Sequence, residues 1–276
     1  MATALLALPL AAQDPSLTVL GTFRTGKFDV GAAEISAHDP RTQRLFVVNG
    51  ADKTIDILDI RNPAAPTRLS QVKMPVDVGD SANSVAVKNG IVAVAVQAAD
   101  KTQPGAVLFL DANGTPLNSV KVGALPDLVT FTPDGRKILV ANEGEPSEDY
   151  KVDPEGSISI IDISGGVGSL TQNQVRTAGF GAFTPQNLPA GVRIYGPGAS
   201  IAQDIEPEYI AVSPDSKQAY VTLQENNALA IVDIQTARVT SIAPLGLKEH
   251  WREENSIDAS DRDGGISMRT WTVWGM

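Results

Sequence analysis

A pattern of three short β segments, repeated four times at near-constant spacing, most constrains how this chain folds. Each copy reads as a β segment, a turn, a second β segment, a polar loop and a third β segment that ends in Asp. The first copy runs over 34–40, 44–49 and 54–59 and turns at Pro40; the third runs over 127–133, 137–142 and 157–162 and turns at Pro133. The fourth runs over 208–214, 218–223 and 229–233 and turns at Pro214, while a degenerate second copy at 83–87, 91–96 and 106–111 turns at Asn89 and Gly90. The closing residues Asp59, Asp111, Asp162 and Asp233 stand 52, 51 and 71 residues apart. That is the period of propeller blades, with an insertion in the last interval. The segments are rich in Val, Ile and Leu, and stretches such as 67–72 and 117–122 add an outer strand of more polar alternation. The pattern predicts an all-β propeller of four-stranded antiparallel blades of the YVTN or WD40 kind, at about 34–72, 83–122, 127–178 and 208–243. Residues 179–207 form the predicted insertion and 247–276 an incomplete remainder.

Composition narrows the function. The 276 residues are 42% hydrophobic with 24 Gly and 18 Pro, which suits a turn-rich packed fold. With 22 Lys plus Arg against 32 Asp plus Glu the net charge is −10, which excludes the footprint of a nucleic-acid binder and favours cations or basic partners. The absence of Cys removes disulfides, thiolate metal sites and thiol nucleophiles. His38 and His250 have neither a serine elbow nor a second His at metal spacing, so neither a triad nor a zinc site is expected. Gly165, Gly166 and Gly168 lack the pattern of a phosphate loop, and Asn113 to Thr115, although a match to a glycosylation acceptor, reads as a hairpin turn. The apolar residues 1–12 read as the remnant of a secretory signal peptide, and no run approaches the ~18 apolar residues of a membrane helix.

The repeats align a set of polar side chains. Six residues before the turn stand Glu34, Asp127 and Glu208, with Asn83 in the degenerate copy. Nine residues after the Pro stand Asn49 and Asn142, with Gln224 one beyond the match, and Glu143, Glu145 and Glu225 follow in the same loops. In a propeller both positions reach one rim of the central channel. Glu34, Asn49, Asp127, Asn142, Glu143, Glu208, Gln224 and Glu225 are therefore the expected ligand- or cation-binding rim, with Ca²⁺ the hard cation that oxygen donors suit. The alternative is that they cap strand ends and bond neighbouring blades. Asp258, Asp261 and Asp263 are spaced like calcium ligands. Ala259 and Thr270 stand where an EF-hand needs its first ligand and its closing Glu, leaving a non-EF calcium site or a solvated acidic turn.

Five stretches, 22–35, 141–156, 204–208, 223–227 and 258–264, make the chain resemble the choice-of-anchor I proteins along nearly all of 17–276. These are secreted or surface-anchored bacterial β-propellers, similar also to sea-urchin mesenchyme-specific cell surface glycoprotein. The resemblance implies a secreted, periplasmic or cell-surface location and a propeller that continues beyond this chain, whose further blades would be its nearest partner. It also implies a binding or adhesion scaffold for an extracellular protein or glycan. The rival is a calcium-dependent phosphoesterase of alkaline-phosphatase or phytase type, which needs basic residues beside the carboxylates. Lys53, Lys101 and Lys151 lie only nearby in the loops. With blades missing, an open arc with exposed sheet edges is expected, together with an unpaired strand at 17–23 and a loosely placed segment from about Leu247 onward.

Overall fold

A computed structural model describes residues 16–260, 262–272 and 274–275. The apolar stretch 1–12 and Asp261 lie outside the described residues. Blade 1 is β1 (Ser36–Asp39), β2 (Arg44–Asn49), β3 (Thr54–Asp59) and β4 (Thr67–Lys73); blade 2 is β5 (Ser81–Lys88), β6 (Ile91–Gln97), β7 (Pro104–Asp111) and β8 (Pro116–Ala124). Blade 3 is β9 (Pro126–Phe131), β10 (Lys137–Asn142), β11 (Ser157–Asp162) and β12 (Val175–Gly179); blade 4 is β13 (Pro207–Val212), β14 (Gln218–Leu223), β15 (Ala228–Asp233) and β16 (Arg238–Pro244). Each blade is a four-stranded antiparallel meander in chain order. The inner strands β1, β5, β9 and β13 surround a small channel.

The blades stack face to face, and this is why their middle strands read as continuous apolar runs. In β6, Val92, Val94 and Val96 pack towards Phe46, Val48 and Ile55 of blade 1, while Ala93 and Ala95 pack towards Val129, Ile138 and Ile161 of blade 3. Between blades 3 and 4, Leu139, Ile158 and Ile160 meet Ile210, Val221 and Ala230, and Phe180 and Ile205 from the insertion complete that core. The blades form an arc that does not close, and its ends are sheet faces. Blade 1 covers its face with the chain itself: Gly21 and Phe23 share a groove with Leu45, Val47 and Leu58. On blade 4, the residues alternating with buried Ile210, Ala219 and Val221 are Tyr209 and Tyr220, 60% and 40% exposed.

The recurring acids at the outer turns are local fasteners. Asp59 accepts from the Arg61 N–H at 2.9 Å, Asp111 from Asn113 and Thr115, Asp162 from Ser164 and Asp233 from Thr236. A carboxylate that bonds backbone two residues on closes an Asx turn. The Pro-Asp turns work in the same way: Thr132 and Ser213 donate their hydroxyls to Asp134 and Asp215, and Gly135 and Ser216 take the same left-handed φ, 69° and 61°. Arg44 ties blades together by donating to Ala112 O and to Asn113 Oδ1 of the β7–β8 hairpin. We expect Arg44→Ala to cost ~1–2 kcal/mol, a fall of a few degrees in unfolding midpoint by calorimetry. An unchanged midpoint would make that bridge energetically silent.

Two expectations about the ends need correction. Residues 17–23 form no strand: Leu17, Val19 and Leu20 are 103%, 82% and 67% exposed. The described residues after Leu247 make defined backbone pairings. Short strands β17 (Lys248–Glu249) and β18 (Trp274–Gly275) pair, and Ile257 bridges Arg269. His250 is buried there, its Nδ1 2.7 Å from Asn255 O, and its carbonyl accepts from Trp271 N–H. These local backbone bonds organise a segment with little apolar core of its own.

Candidate functional site

Blades 3 and 4 bring their loops together at one rim. At the β8–β9 junction Leu125 sits at φ 46°, in the left-handed region that side chains disfavour. Its carbonyl accepts from Glu143 N–H at 2.9 Å, and Ala124 O accepts from Gly144 N–H, which fixes Glu143 beside Asp127. The insertion ends in a single helical turn, α1 (Ile201–Asp204), opened by a Ser200–Gln203 capping box. Gln203 Nε2 reaches Asp153 O at 2.8 Å and so joins the insertion to the loop after β10. Asn226 is fully buried: its Nδ2 donates to Asp204 O and Arg193 O, and its Oδ1 accepts from Glu206 N–H. That residue locks Glu206 in place at the start of blade 4.

The result is a convergence of carboxylates. Burial first, and then Glu145, Asp127, Glu206 and Glu208, push the Glu143 carboxyl up to about 8. Burial followed by Glu225 and Glu145 raises Glu206 to about 7. Burial, the charge of Glu225 and a carboxyl–carboxylate contact with it raise Glu208 to about 7. Asp127 is raised by burial and Glu145, Asp153 by burial and Asp204, and the Tyr195 hydroxyl by burial and Glu206. Lys101 reaches the rim from the β6–β7 loop and pairs with Glu145. In their ionised forms these carboxyls attract a cation and repel a bare phosphate.

Of the sequence-predicted rim, the structure brings together Asp127, Glu143, Glu208 and Glu225. Glu34 stands apart, folded over Gly31 and Gly50 in the blade 1 groove. Asn49 and Asn142 are buried inside their blades. Asn49 bonds Asp52 and Asp56, and Asn142 donates to Ser157 and Ser159. Gln224 is exposed, and its carbonyl accepts from Asn227 N–H. Asn83 serves the capping role, donating to Pro126 O across the blade boundary at 3.1 Å. Asp258 accepts from the backbone of Ser260 and Ser267, Asp263 is exposed, and Asp261 lies outside the described residues. Among the described residues, no group of three His, Asp or Glu stands as a metal-holding cluster. Asp153, Tyr195, Asp204 and Glu206 are site residues that no repeat position marks. Asp153 fell in the 141–156 stretch and Asp204 and Glu206 in the 204–208 stretch that carry the family resemblance, and nothing marked Tyr195.

An arc of four-stranded blades with an acidic rim is a propeller-type module. The chain belongs to the choice-of-anchor I domain family, whose model matches residues 34–276. It is 39% identical over 173 residues, 56% of its length, to a mesenchyme-specific cell surface glycoprotein of Strongylocentrotus purpuratus, and it spans 20% of that protein. Among solved structures, a functionally unknown protein from Desulfotomaculum acetoxidans shares the fold with a TM-score of 0.53 at 13% identity, over 86% of this chain and 61% of that one. A Bacteroides uniformis protein titled as a candidate 6-phosphogluconolactonase does so with a TM-score of 0.50 at 13% identity, over 73% and 50%.

Proposed function

We propose that the chain is part of a secreted or cell-surface binding scaffold whose acidic rim is its ligand-binding face and accepts a positively charged group. The observation that carries this is the gathering of Asp127, Glu143, Glu206 and Glu208, all with raised carboxyl values, around a rim where the nearby Lys101 is already paired with Glu145 and Arg193 with the Tyr195 ring. Calcium and organic cations both have the required charge, and either would relieve the repulsion. The extracellular setting draws support from the sea-urchin relative, a cell surface protein by name. The phosphoesterase alternative has less support, because Lys53 and Lys151 are paired with Asp80 and Asp149. Among the described residues lining the acidic cleft, the one base is Lys101, and it is paired with Glu145.

The test is thermal unfolding at mildly alkaline pH with calcium, spermidine or arginine amide against sodium at matched ionic strength, beside a phosphate monoester assay. A ligand present at ~100 times its Kd adds ~2.7 kcal/mol, so a rise of several degrees is expected from at least one cation. The rise should vanish when Glu143, Glu206 and Glu208 are changed together to Gln. An equal rise in that variant, or phosphate turnover lost on Glu143→Ala, would contradict the proposal.

A further inference from the structure

One cleft within the rim has features that select among cations. It lies between the loop after β10 and the insertion, with a volume of about 440 Å³. Glu206, only 8% exposed, lines it; the one hydrogen bond its carboxylate receives among the described residues is a long one, 3.4 Å, from the Tyr195 hydroxyl to Oε2. Oε2 of Glu225 and Oδ1 of Asp153, whose side chains line the same cleft, are closed off from solvent and receive no hydrogen bond among the described residues, although Glu225 also meets the Glu208 carboxyl. Buried carboxylate oxygens without donors are costly and rare. Two such orphan atoms beside a scarcely bonded buried Glu mark the place of a missing donor that carries positive charge. The chain already supplies one such group in miniature, the Lys101 ammonium held by Glu145 at the cleft wall.

A metal ion fits these groups less well. Calcium gathers six to eight oxygens at about 2.3–2.6 Å, and no three carboxylates of the described residues are clustered for that. A guanidinium presents five donors over a planar fork and can serve oxygens set well apart. The Tyr150 and Tyr195 rings line the same cleft and offer aromatic faces to a cation, and Arg193 already lies 4.5 Å from the Tyr195 centroid.

We propose that this cleft receives the guanidinium or ammonium head of a basic side chain presented by a partner protein, bonded by Glu206, Glu225 and Asp153. The proposal rests on the rim being the binding face. The experiment is calorimetric titration of the full chain with a short neutral peptide bearing a single Arg, the same peptide with citrulline, free arginine amide, and calcium chloride. The Arg peptide should bind and the citrulline peptide should not. Tighter binding of the peptide than of the free amide assigns the head group to a protein partner. Equal binding of the two would overturn that assignment and leave a free small cation as the occupant. Glu206→Gln should weaken Arg-peptide binding ~tenfold or more, while Lys101→Met, which removes the tethered competitor, should strengthen it several-fold. Unfolding curves of both variants show that they fold. Equal binding of the Arg and citrulline peptides, or an unchanged affinity in Glu206→Gln, would overturn the proposal. Calcium binding that depends on Glu206, with no Arg-peptide binding, would overturn it and leave the acidic rim as the binding face. Binding of no cation would overturn both.

Discussion

Replacing Gly156 by Ala is expected to lower the unfolding midpoint by ~2–12 °C. A Cβ at Gly156 would stand 1.9 Å from Ile205 O and 2.7 Å from Pro207 Cδ, both set in the rigid junction between the insertion and blade 4. Gly156 N–H also donates to Ala202 O, so the loop cannot swing away without losing a buried bond. In an unstrained position Gly→Ala stabilises by ~0.4–1 kcal/mol through the unfolded chain. Here the overlap reverses the sign, at ~1–3 kcal/mol of overpacking, and each kcal/mol moves the midpoint of a chain this size by ~2–4 °C. Gly168→Ala is the control, since nothing stands within 4 Å of its Cβ. Differential scanning calorimetry of the two variants checks the difference. Equal midpoints would mean that blades 3 and 4 are not packed as described.

Stability should also fall as pH rises from about 5 to 9, the reverse of what an acidic protein with paired carboxylates shows. Glu143, Glu206 and Glu208 have folded values of about 8, 7 and 7 against an ordinary 4.5. Folding therefore favours their neutral forms. Their contribution is complete below 4.5 and is lost as pH climbs through 7 and then 8. One unit corresponds to ~1.36 kcal/mol for a fully sequestered group; Glu143 and Glu208 are partly solvated and the three share one field, so the net loss expected is on the order of 2–3 kcal/mol. The outer-turn acids act oppositely. The Arg61 guanidinium holds Asp59 at about 2, and backbone or hydroxyl donors lower Asp111, Asp134, Asp162 and Asp233. Their stabilisation is present above the ordinary carboxylate range and is lost as pH falls below it, down to about 2 for Asp59. Unfolding midpoints measured across this range should peak near pH 4.5–6, and Glu143→Gln should flatten the alkaline limb. A profile that rises towards pH 8 would contradict the placement of these carboxyls.

The propeller was legible because its signal is periodic. Each blade buries both faces of its middle strands and closes most of its outer turns with an Asx or Pro-Asp turn, so apolar runs and acids recur at fixed offsets. Asp127, Glu143 and Glu208 were legible for the same reason, standing at or beside repeat positions where strands begin and end. The same counting overreached at Asn49 and Asn142. These are the last residues of β2 and β10, and the pleat turns their amides into the blade rather than onto the rim. Glu34 was misplaced because the segment before β1 folds over Gly31 and Gly50. Glu206, Asp204, Tyr195 and Asp153 come from long loops with no period, and bonds distant in sequence, those of Asn226 and Gln203 among them, bring them to the rim.

The central claim, that blades 3 and 4 crowd carboxyls into one rim awaiting a positive charge, is tested most directly by following the side-chain carboxyl carbons of Glu143, Glu206 and Glu208 by NMR from acid to alkaline pH. Titration of Glu143 near 8 and of the two others near 7 is expected. All three should move downward when a cationic ligand is added. Titration of all three in the ordinary glutamate range, about 4–5, unmoved by any cation, would contradict it.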